Sequence, residues 1–252
     1  MGERIKILLA YDGTRYCGWQ RQPDQPTVQE AVEAAVEKVT GEKQPVIASG
    51  RTDSGVHARG QVCHFDVERA SVPPDKYSLA LNRYMPRDIR ILESCSVDED
   101  FHARFSALTR EYRYYLLQGR VADPFIGRYV YSHSRIPSAE VLDRYAETLL
   151  GTHDFTTFSA AGDPSESRIR HIYAASFFPW RGCIVFRIVG NAFLWRMVRS
   201  LMGTMLDFGQ QEAPAEAMKE VLEARDRSLA GATAPSRGLF LYKVVYDAGN
   251  VW

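Results

Sequence analysis

The chain has 252 residues, 45% hydrophobic and 25% charged, so it can bury a sizeable core as one large or two ordinary globular domains. Lys plus Arg and Asp plus Glu both total 31, so overall charge does not point to a nucleic-acid partner. Cys17, Cys63, Cys95 and Cys183 are far apart and form no C-x-x-C pair, which excludes an obvious zinc site and gives little support to a disulfide framework.

The opening run "RIKILLAYDGT" reads as a strand ended by the turn signal Asp12-Gly13. "TVQEAVEAAVEKVTG" reads as a helix. Thr27 and Glu30 make a capping box, Val28, Ala31, Val32, Ala35, Val36 and Val39 form one apolar stripe, and Gly41 ends it. Strands are expected near Val46-Ile47, along "QVCHFDV" and along "DIRILESCSV", with a short helix "YSLALNRYM" before Pro86. The second half repeats the order. "REYRYYLLQG" reads as a strand, and "PSAEVLDRYAETLLG" as a helix capped by Ser138 and closed by Gly151. Strands "YAASFFP" and "CIVFRIVG" follow, then a helix "AFLWRMVRSLMGTMLDFG", a helix near "PAEAMKEVLEAR" and a final strand "GLFLYKVVY". The recurrence predicts two related α+β halves, residues 1–105 and 106–252, joined near Phe105.

Charge is unevenly placed along this plan. Between Ser165 and Ser200 there are six arginines against Glu166 alone, while Asp207, Glu212, Glu216, Glu220, Glu223 and Asp226 follow later. A basic middle with an acidic late segment permits a polyanion-binding face on a neutral protein. The apolar run in "MGERIKILLAYDG" is too short for a signal peptide. The segment Cys183 to Leu206 carries Arg187, Asn191, Arg196 and Arg199 and does not read as a membrane span. Reduced thiols in a cytoplasm are the expectation.

Several chemistries lack their motif. G-x-x-x-x-G-K-[ST], G-x-G-x-x-G and G-x-S-x-G are all absent, and the histidines do not fall at metal-ligand spacing, so no cofactor or metal is expected. "SGRTDSGVHARG" is different. A turn explains the glycines and the aspartate. It does not explain Arg51, whose guanidinium two residues before Asp53 is a natural partner to keep that carboxylate ionised. The flanking glycines would let a substrate approach the backbone. In "TREYRYYLL", strand alternation puts Tyr112, Tyr114 and Leu116 on one face, and interleaved Arg and Tyr suit a surface that stacks bases and neutralises phosphates. In "GNAFLWRMVRSLMG", helical spacing buries Leu194, Val198, Leu201 and Met205 and sets Arg196 and Arg199 together on the opposite side.

Together, "GRTDSGVHARGQVCHF", "REYRY", "GNAFLWRMVR" and "AGATAPSRGLFLYKVVY" resemble the tRNA pseudouridine synthase A family, and "AYDGTRYCGWQRQP" and "SRIRHIY" fit as well. The resemblance runs from about Ile5 to Tyr246. It implies that Asp53 is the catalytic aspartate, Tyr112 the active-site tyrosine and Arg199 the basic residue of the third motif. Arg199 would pair with Asp53, with Arg51 supporting the loop. It further implies two ferredoxin-like (RRM-like) halves whose antiparallel or mixed sheets flank a central cleft, a cytoplasmic homodimer, and no metal, cofactor or membrane. The partner would be tRNA, gripped at its anticodon arm and modified at uridines 38, 39 and 40. Arg15, Trp19, Arg21, Arg168, Arg170 and Arg196 are the further RNA-binding candidates.

Two other readings start from the same residues. A non-catalytic RNA-binding module would lack any need for Arg51-Thr52-Asp53, and the chain has no K/R-G-F/Y-G/A-F-V run. A nucleoside or glycoside hydrolase using Asp53 would ordinarily bring a second carboxylate, and none obviously pairs with it in the sequence.

Overall fold

The computed structural model describes residues 2–68, 72–119 and 121–247. These form two compact units, one from the segment up to Leu108 together with the described residues from Leu241 onward, the other from Thr109–Phe240.

In the first unit, β1 (Glu3–Tyr11) is followed by α1 (Val28–Thr40), β2 (Ile47–Ala48), β3 (His57–Val67), α2 (Tyr77–Asn82) and β4 (Ile89–Val97). The strand order is β4-β1-β3-β2, with every neighbouring pair antiparallel. This is the strand sequence and order of a ferredoxin-like βαββαβ unit. Ile5, Ile7, Leu9 and Tyr11 of β1 alternate into the core, as period-two patterning demands. The Thr27 side chain accepts from Glu30 N, and Gly41 closes α1 in the left-handed region at φ 79°. Val28, Val32, Ala35 and Val36 are the buried stripe of that helix. Each fully buried valine contributes roughly 1.5–3 kcal/mol by leaving water.

In the second unit, β5 (Thr109–Gln118) leads through β6 (Tyr131–His133) to α3 (Ala139–Glu147). β7 (Gly151–Asp154), β8 (Ile169–Trp180) and β9 (Cys183–Gly190) follow, then α4 (Met197–Gln210) and α5 (Ala215–Ala224). The sheet order is β5-β9-β8-β7, with β6 parallel to β5. With the short strands β6 and β7 set aside, strand, helix, two strands and helix repeat the first unit's plan, and β9 lies between β5 and β8 as β3 lies between β1 and β2. The internal repeat is therefore topological rather than one of residue identity.

Three boundaries differ from expectation. The α4 helix starts at Met197 and not at Ala192, because Arg196 takes a left-handed backbone at φ 61° that cannot continue a helix upstream. Arg196 and Arg199 are thus not partners on one helical face. The α3 helix ends at Glu147, and Gly151 opens β7 at φ 96° instead of capping the helix. The last strand, β10 (Leu239–Val245), is divided: Leu239 and Phe240 belong to the second unit, and from Leu241 the chain belongs to the first. Its Tyr242 lies under Arg59 of β3, and a Cβ on Gly60 would meet the Tyr242 carbonyl oxygen at 2.6 Å. Strand partners chosen across more than a hundred residues leave no local signal.

Candidate active site

Asp53 lies half-buried in the loop between β2 and β3, and a second loop, Asp12–Trp19, holds this one in place. Trp19 N–H donates to the Thr52 carbonyl at 3.0 Å, and Gly55 N–H donates to the Tyr16 carbonyl at 3.2 Å. The hydroxyls of Tyr11 and Thr52 are 2.8 Å apart in a buried spot. Val56 N–H donates to the Asp53 carbonyl at 3.1 Å and tightens the turn itself. Behind the loop, Gln61 Nε2 donates to the Gly50 carbonyl at 2.9 Å and its Oε1 accepts from Ser49 Oγ at 2.6 Å.

Two glycines of the supporting loop are required by contact. A Cβ on Gly13 would fall 2.0 Å from the Val56 carbonyl oxygen. Gly18 has φ 89°, and a Cβ there would lie 2.5 Å from the Thr52 oxygen and 3.1 Å from the Asp53 carbonyl carbon. Backbone packs directly on backbone, so the main chain that carries Asp53 is held in place by its neighbouring loop. Gly13 N–H also donates to Nδ1 of the fully buried His57, which sits 3.2 Å from Asp12 Oδ1. A Cβ on Gly50 would meet open space, which leaves room beside the loop.

The other first-unit candidates take varied places. Arg51 is exposed at the start of the loop. Trp19 is only 3% exposed and packs 6.2 Å from the Tyr11 ring, so its indole supports the loop from inside and offers no open face to a base. Arg15 grips Asp88 Oδ2 through Nε and Nη2 at 3.0 and 2.6 Å, and Tyr16 OH donates to Asp88 Oδ1 at 2.7 Å. Burial pushes the Asp88 carboxyl up, but Arg15 and Tyr16 outweigh it and hold the group below its ordinary range. Arg21 pairs with Glu33.

In the second unit, Tyr112 is buried on β5 opposite Ile188 of β9, with its ring edge-to-face with Phe193 at 5.0 Å. Phe193 belongs to the irregular segment entering α4, which helical spacing alone did not anticipate. Arg199 is half-buried on α4; its Nε donates to the Ala234 carbonyl at 2.8 Å while Ala234 N–H donates back to the Arg199 carbonyl at 3.0 Å. The charges interleaved with tyrosine on β5 serve the sheet. Glu111 accepts from Arg113 at 2.8 Å and pairs with Arg187 at 3.1 Å, and Arg110 donates to the Asn191 carbonyl at 2.6 Å.

Arg168 braces a loop. It pairs with Asp163 at 2.9 Å and donates to Ser159 Oγ at 3.0 Å and the Asp163 carbonyl at 2.8 Å. Asp163 in turn accepts from the backbone N–H groups of Ser165 and Trp195. Burial raises the Asp163 carboxyl; the bonds from Ser165 and Trp195 and the Arg168 charge together bring it below its ordinary range. Arg170 donates to the carbonyls of Ser167 and Ile169 at 2.9 and 2.6 Å. Arg196 is exposed and lies over Trp195 at 5.1 Å.

Sequence reasoning named Asp53, Tyr112 and Arg199 but missed Tyr11, Tyr16, Gly18, Thr52 and Asp163, which hold the loops. The glycine-rich spacing of "YDGTRYCGW" was the available signal. Among the described residues, no helix is long and apolar enough to cross a membrane, and no three His, Cys, Asp or Glu side chains gather as a metal site.

The profile of the tRNA pseudouridine synthase family matches residues 7–106 and 145–247, which takes in the Asp53 loop and the Arg199 helix. Three relatives named tRNA pseudouridine synthase A are similar over nearly the whole length. Those of Bacillus pumilus and Bacillus subtilis are each 42% identical over 246 residues, covering 97% of this chain and 99% of their own. That of Moorella thermoacetica is 45% identical over 245 residues, covering 96% of this chain and 99% of its own. With similarity running end to end through both units, the chain belongs to the tRNA pseudouridine synthase family.

Proposed function

We propose that the chain isomerises uridine to pseudouridine at positions 38, 39 and 40 of the tRNA anticodon stem-loop, with Asp53 as the nucleophile. The observation that carries the reading is the backbone clamp on the Asp53 loop. A half-buried aspartate on a loop whose main chain is held by hydrogen bonds and glycine contacts suits a preorganised nucleophile, whereas a mere turn aspartate needs no such support.

In the reaction the N1–C1′ bond breaks, the uracil turns, and C5 bonds to C1′. The C5 proton leaves and N1 gains one, so the product has the mass of the substrate and no oxidant or water is consumed. Asp53 supplies the electron pair that opens this exchange, and its bond to the substrate breaks again before release, which returns the free carboxylate. The uridine must first leave its stack, at a cost of a few kcal/mol offset by contacts to the protein. Tyr112 stacks on the freed base and its hydroxyl relays the C5 proton. Arg199 supplies positive charge at the reacting uridine, and Arg51, at the exposed start of the Asp53 loop, meets the RNA. Exclusion of water preserves the detached base from hydrolysis.

The enzyme is proposed to act in the cytoplasm as a homodimer on the anticodon arm, read by shape and phosphate because adjacent positions are all substrates. The test is single-turnover modification of an unmodified tRNA transcript with each pseudouridine mapped. Modification confined to positions 38–40 supports the reading. Modification elsewhere, or release of free uracil, overturns it.

A further inference from the structure

The loop entering α4 and the segment after α5 enclose a cavity of about 360 Å³ within the second unit. Ligand sites begin at about 300 Å³, so the space suits one small organic group. Phe158 and Thr233 line it, with Trp195, Arg196, Ser200 and Arg227. Among the described residues, no acidic side chain does.

Trp195 is 45% exposed, with the Arg196 guanidinium 5.1 Å from its ring centroid. Its backbone is pinned at both ends: Ala160 N–H donates to its carbonyl at 3.0 Å, and its own N–H donates to Asp163. Arg227 is aimed by bonds to the Ala230 carbonyl at 3.3 Å and Thr233 Oγ1 at 3.2 Å. Two further features carry an energetic cost. Arg196 sits at φ 61°, a conformation that a non-glycine residue adopts at an energetic cost and that recurs where ligands are held. The Ser200 hydroxyl is buried and, among the described residues, has no hydrogen-bond partner, a state that native proteins avoid unless a ligand or water completes it.

We infer that this cavity binds an unpaired nucleotide of the tRNA, its base stacked on Trp195, its phosphates between Arg196 and Arg227, and an edge of its base or sugar within reach of Ser200. An aromatic platform flanked by guanidinium groups is the pattern by which proteins hold single-stranded nucleic acid. The inference rests on the tRNA reading above, and the nucleotide is not the reacting uridine, since Asp53, Tyr112 and Arg199 do not line the cavity.

The experiment is filter binding of an unmodified tRNA transcript to the full-length protein and to Trp195→Ala, Trp195→Phe and Arg227→Gln, over a range of salt. Thermal melting confirms that each variant is folded. Stacking of one base predicts that Trp195→Ala weakens binding about 5- to 150-fold. Trp195→Phe should restore most of the loss. Arg227→Gln should reduce the log–log salt slope by about 0.7–0.9, the release of one phosphate contact. Irradiation of 4-thiouridine-substituted tRNA should crosslink the peptide that carries Trp195. Folded Trp195→Ala and Arg227→Gln proteins that bind within twofold of the parent with an unchanged slope would overturn the inference. So would variants whose only change is a lost oligomeric state in sedimentation, since the cavity would then be a subunit contact. If the parent binds tRNA but forms no pseudouridine while the variants lose binding as expected, the catalytic reading fails and this site stands. If the parent modifies tRNA while the variants bind as it does, this site fails and the catalytic reading stands.

Discussion

The hydroxyls of Tyr11 and Thr52 meet at 2.8 Å in a buried spot, joining the end of β1 to the residue before Asp53. Removing one partner leaves the other buried and unsatisfied, which costs roughly 1–3 kcal/mol. Tyr11→Phe should therefore lower the unfolding free energy by about that amount. The double variant Tyr11→Phe, Thr52→Val should regain much of it, because apolar groups of similar shape replace both partners. Modification should stay slow in both, by about tenfold, if the pair also aims Asp53. Denaturant melts and single-turnover rates on the same preparations separate the two effects.

Gly18→Ala places a Cβ against the Thr52 carbonyl at a backbone angle of φ 89°. Strain and collision act together, so destabilisation of roughly 1–3 kcal/mol is expected. The chain must move at Thr52-Asp53, so the rate at saturating tRNA should fall more than affinity does. Unchanged turnover in a folded Gly18→Ala protein would show that the loop tolerates displacement.

His64 is buried on β3, accepts from Ala103 N–H through Nδ1 at 3.2 Å, and burial pushes its pKa down to about 4. The folded state thus holds a neutral imidazole that the unfolded chain protonates below about 6.5. Because the unfolded state binds more protons, stability rises with pH between about 4 and 6.5 and is lost on acidification through that window. For these values, the loss from pH 7 to pH 4.5 is about 2 kcal/mol. Unfolding measured at both pH values should show a gap smaller by about that amount in His64→Asn, which keeps an acceptor near Nδ1 but does not titrate.

At Arg196 the backbone and the side chain have opposite consequences. Glycine adopts φ 61° without penalty, so Arg196→Gly should raise stability by up to about 1 kcal/mol. The same change removes a guanidinium from the cavity and should weaken tRNA binding. Arg196→Ala keeps the strain and loses the charge, so it should bind weakly without the gain in melting temperature.

Local chemistry was legible in the sequence wherever one segment decides its own fate. The Thr27 cap, the stop at Gly41, the alternation of β1 and the repeated strand–helix–strand order all follow from neighbours along the chain. The Asp53 loop was also visible as a glycine-flanked carboxylate. What the sequence did not disclose depends on distant partners. Trp19 could be an open stacking surface or a core residue, and only its contact with Tyr11 and Thr52 decides. The start of α4 turns on the left-handed backbone of Arg196, where a non-glycine residue gives no warning. Arg168 reads as an RNA contact by charge but is bound to a buried carboxylate, Asp163.

The most direct test is single-turnover pseudouridine formation by Asp53→Ala and Asp53→Asn, with tRNA binding confirmed for each. Both variants should fold, since the loop is held chiefly through main-chain groups and Thr52. Binding should hold or tighten slightly as a negative charge leaves the phosphates. Pseudouridine at positions 38–40 should form at least ~10³-fold more slowly, on the order of 4 kcal/mol in the barrier. Asp53→Ala guards against deamidation of the asparagine variant back to aspartate. Modification by Asp53→Ala within tenfold of the parent would contradict the assignment and make Asp53 a turn residue.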